Sequence, residues 1–88
     1  MIRKHIYFSG SVQGVGFRYR AYYIAQSLSL TGWVKNLWDG RVEMEVQGPA
    51  YGIDQMLEEL GHQRLIKIEH IEAADIPCVD EVGFDIAN

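Results

Sequence analysis

Alternation of apolar and polar positions predicts a first strand, in which Ile2, Ile6 and Phe8 share one parity and the run ends near Ser9. The segment from Gly10 to Gly16 then reads as a loop. From Phe17 the spacing changes to that of a helix burying one face, with Phe17, Ala21, Ile24, Ala25 and Leu28 recurring every three or four positions. Gly32 to Leu37 predicts a strand, Asp39-Gly40 a type I′ hairpin turn, and Arg41 to Gln47 its partner, with Val42, Met44 and Val46 inward and Glu43 and Glu45 outward. Gly48-Pro49 stops that strand. Ile53, Met56, Leu57 and Leu60 predict a second amphipathic helix closed by Gly61, and Leu65 to Glu72 and Gly83 to Ile86 predict later strands.

The resulting order, βαββαβ with an extra C-terminal strand, predicts an α+β, ferredoxin-like sandwich: one antiparallel sheet with two helices on one face. No linker, repeat or low-complexity run interrupts it, so residues 1–88 read as a single domain. In this topology the first and second strands run the same way. The loop after the first and the hairpin after the second therefore emerge at the same end of the sheet, which brings Asn36 close to Gly10–Arg18.

Hydrophobic residues make up 48% of the chain and there are only two prolines, which excludes disorder and supports one ordinary core. The lone cysteine, Cys78, cannot close an internal disulfide, so packing must hold the fold, and a reducing, cytoplasmic setting is expected. No apolar run approaches a membrane span, and Met1-Ile2-Arg3-Lys4-His5-Ile6 lacks the apolar segment of a signal peptide. A net charge of −4 argues against a general nucleic-acid binder. The charge is unevenly distributed: Arg3, Lys4, Arg18, Arg20 and Lys35 all precede the first acid, Asp39. One cationic region on an anionic body, suited to a small anion, is the expectation; cations scattered over solvated faces are the alternative.

The loop Gly10-Ser11-Val12-Gln13-Gly14-Val15-Gly16 lies between a strand and a helix, and its glycines allow several N–H groups to converge beside the helix's positive end. It is neither a Walker loop, since Phe17-Arg18 stands where Lys-Ser/Thr is required, nor a dinucleotide fingerprint, since Tyr19 replaces the third glycine. Glycines alone would be read as a flexible turn. Arg18 changes that reading. A cation in the first helical turn opposes the helix dipole by about 0.3–1 kcal/mol, whereas a bound phosphate would reverse the sign and accept charge-assisted hydrogen bonds of about 1.5–3 kcal/mol each. Arg20, on another side of the helix, reads as the solvated arginine.

Phe8-Ser9-Gly10-Ser11-Val12-Gln13-Gly14-Val15-Gly16-Phe17-Arg18 resembles the first signature of the acylphosphatase family, and Gly32-Trp33-Val34-Lys35-Asn36-Leu37-Trp38-Asp39-Gly40-Arg41-Val42-Glu43 resembles the second. The resemblance implies hydrolysis of a carboxyl-phosphate anhydride without metal or cofactor. It places the phosphate-binding arginine on Arg18, the water-positioning asparagine on Asn36, and the amide cradle on Ser11, Val12, Gln13, Gly14, Val15, Gly16 and Phe17. Leu37 stands where many members carry a hydroxyl residue, and Gly61-His62 where they often show Gly-Pro. The implied partners are a small-molecule acyl phosphate, with inorganic phosphate as product and competitive ligand. Neither nucleic acid nor membrane is expected, and the protein is expected to be a monomer.

The chemistry agrees with that substrate. An acyl phosphate expels a carboxylate whose conjugate acid has a pKa of about 4, so no general acid is needed. The segment up to Trp38 has no Asp, Glu or Cys, and its one histidine, His5, lies early in the first strand. His5, His62, His70 and Cys78 show no metal-ligand spacing. Tyr19, Tyr22 and Tyr23 read as packing residues, with Tyr19 able to line the mouth, and Asn36 could be only a strand-end polar residue. Two other classes compete with this reading: a non-catalytic phosphate- or small-anion-binding regulatory domain, and RNA binding through Tyr7 and Trp33, for which the basic, aromatic RNP signature is missing.

Overall fold

Two parities, one facing helices and one facing away, sort the strands into a layered structure. The computed structural model describes residues 1–88 as β1 (Ile2–Ser11), α1 (Phe17–Ser27), β2 (Thr31–Asn36), β3 (Val42–Gly48), α2 (Ala50–Gly61), β4 (Lys67–Ile76) and β5 (Phe84–Ile86). The strands form one sheet in the order β4-β1-β3-β2-β5. Ile6 and Phe8 of β1 and Val42, Met44 and Val46 of β3 share a single core cluster with Phe17, Ala21, Ile24 and Ala25 of α1 and Ile53, Met56 and Leu60 of α2. The rings of Phe8 and Phe17 sit 4.9 Å apart. Truncating either would cost about 3–5 kcal/mol, because the cavity left behind closes only in part. No helix is long and apolar enough to cross a membrane.

β1 runs two residues past its expected end, because a register shift against β4 between Ser9 and Gly10 lets pairing continue to Ser11. β2 ends at Asn36, one residue earlier than expected. β4 occupies 67–76, not 65–72; as an edge strand exposed along almost its whole length, it has no alternation to read. The sheet is also not wholly antiparallel, since β5 pairs parallel to β2. After β4 the chain crosses the open face of the sheet, where Val79 exchanges hydrogen bonds with the Gln47 side chain and Glu81 pairs with Arg3 at 2.7 Å, and it enters the far edge in the direction of β2.

That crossing explains why Arg3 is buried, and it corrects the expectation of one cationic region. Arg3 is held by Glu45 and Glu81, Lys4 by Asp75, and Lys35 lies 3.6 Å from Glu43. Arg3's hydrogen bond holds the Glu81 carboxyl below the usual carboxylate range, against the opposing effect of burial. Of the five early cations only Arg18 and Arg20 lack an Asp or Glu side-chain partner. The hairpin differs too. Trp38-Asp39-Gly40 form a three-residue loop closed by Leu37 N–H donating to the Arg41 carbonyl at 2.8 Å, and only Gly40 has a positive φ, 94°, where a type I′ turn needs two. The Asp39 carboxylate accepts from the Arg41 main-chain N–H and guanidinium, which hold it below its ordinary pKa.

Candidate active site

The glycine loop is fixed at both ends by side chains in the core: Val12 is 0% exposed and Phe17 is 2% exposed. Between these anchors the backbone is shaped by Gly14 and Gly16, at φ 72° and 80°, a region open to glycine at little cost. Gly16 is also the N-cap of α1, so the helix begins with no side-chain cap and no acid in its first turn. From Gly14 to Tyr19 no main-chain N–H donates to a protein acceptor; the first that does is Arg20, to the Gly16 carbonyl at 3.0 Å. Six consecutive free donors at a helix start form a field that favours an anion.

Five of those six residues, all but Val15, border a cleft of about 210 Å³ lined by Val12, Gly14, Gly16, Phe17, Arg18, Tyr19 and Asn36. β1 and β2 run parallel, each being antiparallel to β3, so the end of β2 delivers Asn36 to the loop that follows β1. The Gln13 side-chain amide ties the two together, donating to the carbonyls of Leu37 at 2.6 Å and Arg41 at 2.9 Å. Arg18 pairs with no carboxylate side chain. Its Nη1 donates to the main-chain oxygen of Asn88 at 2.6 Å and to Asn88 Oδ1 at 2.9 Å. The Oδ1 atom of Asn36 is buried and has no hydrogen-bond partner. An orphaned acceptor of this kind costs about 1–3 kcal/mol, so its position calls for a donor that arrives from outside.

Of the residues expected from sequence, the structure gathers Val12, Gly14, Gly16, Phe17, Arg18 and Asn36 around the cleft. Three others stand apart from its lining. Ser11 is the last residue of β1, opposite Lys67; the Gln13 side chain turns to the hairpin; and Val15 packs partly buried against the core. Tyr19 is 63% exposed and lies at the mouth, and Tyr23 is equally exposed, so of the three tyrosines only Tyr22 packs against the core. Asn88 was not expected at all. Its contacts lie 52 and 70 residues away in sequence and follow no periodic signal.

The lining contributes donors from Arg18 and the loop, one open acceptor from Asn36, and no carboxylate, imidazole or thiol. Such a set can hold a phosphoryl group, stabilise charge growing on its oxygens and orient a water molecule, but it supplies no side-chain acid or nucleophile. A larger hollow of about 530 Å³ runs along α2, but Asp54, Glu58 and Glu59 line it and would repel the same ligand.

A family model described as Acylphosphatase matches residues 4–86. An acylphosphatase of Bifidobacterium longum is 42% identical over 84 residues, covering 94% of this chain and 87% of that protein. One from Geobacillus kaustophilus is 43% identical over 89 residues, covering 98% and 94%. The crystal structure of acylphosphatase from Bacillus subtilis superposes with a TM-score of 0.92 at 33% identity and covers all of both chains.

Proposed function

The chain belongs to the acylphosphatase family and hydrolyses acyl phosphates to carboxylate and inorganic phosphate, and from this premise we propose that Arg18 and the N–H groups of the glycine loop hold the phosphoryl oxygens while Asn36 aims the attacking water. The observation that carries the assignment is the unpartnered Asn36 Oδ1, buried beside the same cleft as Arg18 and the free loop donors. That oxygen accepts one proton of the water and leaves a lone pair directed at phosphorus.

As the water oxygen bonds to phosphorus, the bond between phosphorus and the acyl oxygen breaks, and the carboxylate leaves with the electron pair. The departing group is a weak base, so it needs no proton from the protein. The water's proton passes to a non-bridging oxygen of the phosphoryl group itself, giving inorganic phosphate. Negative charge spread over the equatorial oxygens in the transition state meets the loop N–H groups and the Arg18 guanidinium. They are already oriented, because Val12 and Phe17 fix the loop and Asn88 holds the arginine.

We further assign the protein to the cytoplasm, where the exposed, unpaired thiol of Cys78 would stay reduced, and take it to act as a monomer on a small-molecule substrate. Tyr19, at the mouth of the cleft, is placed to meet the acyl end of that substrate. The reading is tested by turnover of acetyl phosphate with and without chelator. Equal rates with competitive inhibition by inorganic phosphate support it, and a rate abolished by chelator and restored by a divalent metal overturns the metal-free mechanism.

A further inference from the structure

β2 lies between β3 and β5, and its pairing with β5 runs out at Val34↔Ile86. One more main-chain bond extends it, from Ala87 N–H to the Val34 carbonyl at 2.8 Å. At Asn36 the next rung is made by a side chain. Asn88 Nδ2 donates to the Asn36 carbonyl at 2.9 Å, and Asn88 Oδ1 accepts from the Asn36 N–H at 3.2 Å, so a carboxamide stands where a peptide group of a longer β5 would be. The same Oδ1 accepts from Arg18 Nη1 at 2.9 Å, and the Asn88 main-chain oxygen accepts from that nitrogen as well.

From this arrangement we infer that Asn88 is a positioning residue for the hydrolysis, its carboxamide setting Arg18 and Asn36 in register with one another. The inference rests on the roles proposed for those two residues. A guanidinium has five N–H donors. Both on Nη1 are taken by Asn88, so the group's rotation is fixed and the donors of Nε and Nη2 stay available for phosphoryl oxygens. The clip on the Asn36 peptide holds the end of β2 just where its side chain must direct a water, and a displacement of about 1 Å there can cost 10²-fold in rate. Both catalytic groups are thus referenced to one side chain. An aspartate at this position would keep the acceptor, lose the donor to the Asn36 carbonyl, and place a negative charge against Arg18 where it opposes phosphate.

The test is a double-mutant cycle on the whole chain with acetyl phosphate, each rate normalised to the folded fraction measured by thermal melting. Asn88→Ala is expected to lower kcat about tenfold while the inhibition constant for phosphate changes less than about threefold, and in an Asn36→Ala background, where only the hold on Arg18 is left to lose, the same change should lower kcat about threefold. Asn88→Asp is expected to weaken phosphate inhibition more than Asn88→Ala does. A purely structural residue would lower the melting temperature and leave kcat per folded molecule unchanged in both backgrounds. That outcome, or a tenfold loss in the Asn36→Ala background equal to that in the parent, overturns the inference. If Asn36→Ala alone leaves kcat intact, what fails is the role given to Asn36 in the proposed function, and this inference falls with it.

Discussion

Gln13 and Leu37 stand 24 residues apart in sequence and are joined by a 2.6 Å hydrogen bond from the Gln13 side-chain amide to the Leu37 carbonyl. With the companion bond to Arg41, this ties the loop that presents the N–H donors to the hairpin that ends β2. The spacing between the glycine loop and Asn36, the groups proposed to hold phosphate and water, is therefore set in part by a residue whose own side chain does not face the cleft. Gln13→Ala is expected to lose about 1–2 kcal/mol of stability through the two broken bonds, and to lower kcat/KM several-fold further than the loss of folded protein explains. Chemical denaturation and steady-state kinetics on the same sample separate the two effects.

Arg18 should weigh on stability and activity in opposite directions. Its positive charge opposes the dipole of α1, which has no acid in its first turn, so Arg18→Ala is expected to leave stability unchanged or raise it by up to about 0.5 kcal/mol, with the loss of the Asn88 bonds offsetting part of the gain. The same change should lower kcat/KM by about 10²–10³ and weaken inhibition by phosphate. Arg18→Lys keeps the charge but lacks the planar fork, so it should recover phosphate binding more than turnover. Melting curves and inhibition constants for both variants check this. A strongly destabilised Arg18→Ala that keeps its activity would contradict the assignment.

Gly14 and Gly40 make a matched pair of backbone probes. Both have positive φ, 72° and 94°, and a Cβ added at either meets nothing within 4 Å, so alanine should cost about 1–2 kcal/mol of strain at each. Gly14 lines the cleft, whereas Gly40 forms the tip of the hairpin. Phosphate affinity should fall in Gly14→Ala and hold in Gly40→Ala at similar loss of stability. Isothermal titration with phosphate reads the difference directly.

Stability should decline in acid for a reason that lies far from the cleft. The folded-state pKa of Glu81 is depressed, first by its hydrogen bond from Arg3, so its contribution is fully present above the unfolded value of about 4.3 and is lost as pH falls through the folded value. Glu81→Gln should be less stable than the parent at neutral pH, and the two should converge as the solution is acidified. Unfolding midpoints measured from pH 7 to pH 2 test the sign. Turnover, in contrast, should show no limb from an enzyme base near neutrality, because the cleft lining contains none.

Positions whose pattern reflects burial on one face were legible from sequence. The inward Val42, Met44 and Val46 and the stripe Phe17, Ala21, Ile24 and Ala25 fall where periodicity puts them, since a slip of one residue would expose the whole set. Arg18 was legible as a cation where a helix start favours an acid. β4 was misplaced because an edge strand exposed on both faces carries no period, and the parallel pairing of β5 was invisible because three residues carry no direction. The cationic region dissolved because Arg3, Lys4 and Lys35 find acids up to 78 residues away, pairings that only the folded sheet creates. Asn88 escaped for a related reason. A side chain standing in for a strand rung leaves no trace in hydrophobic patterning.

If Asn36 aims water at a phosphoryl group held by other residues, as proposed, the kinetics of Asn36→Ala on acetyl phosphate must show it. Since the orphaned Oδ1 disappears with the side chain, folding stability should be little changed. The expected result is that kcat falls by about 10²–10³ while the inhibition constant for inorganic phosphate stays within about threefold of the parent. Turnover and phosphate affinity falling by equal factors, or turnover left intact, would contradict it.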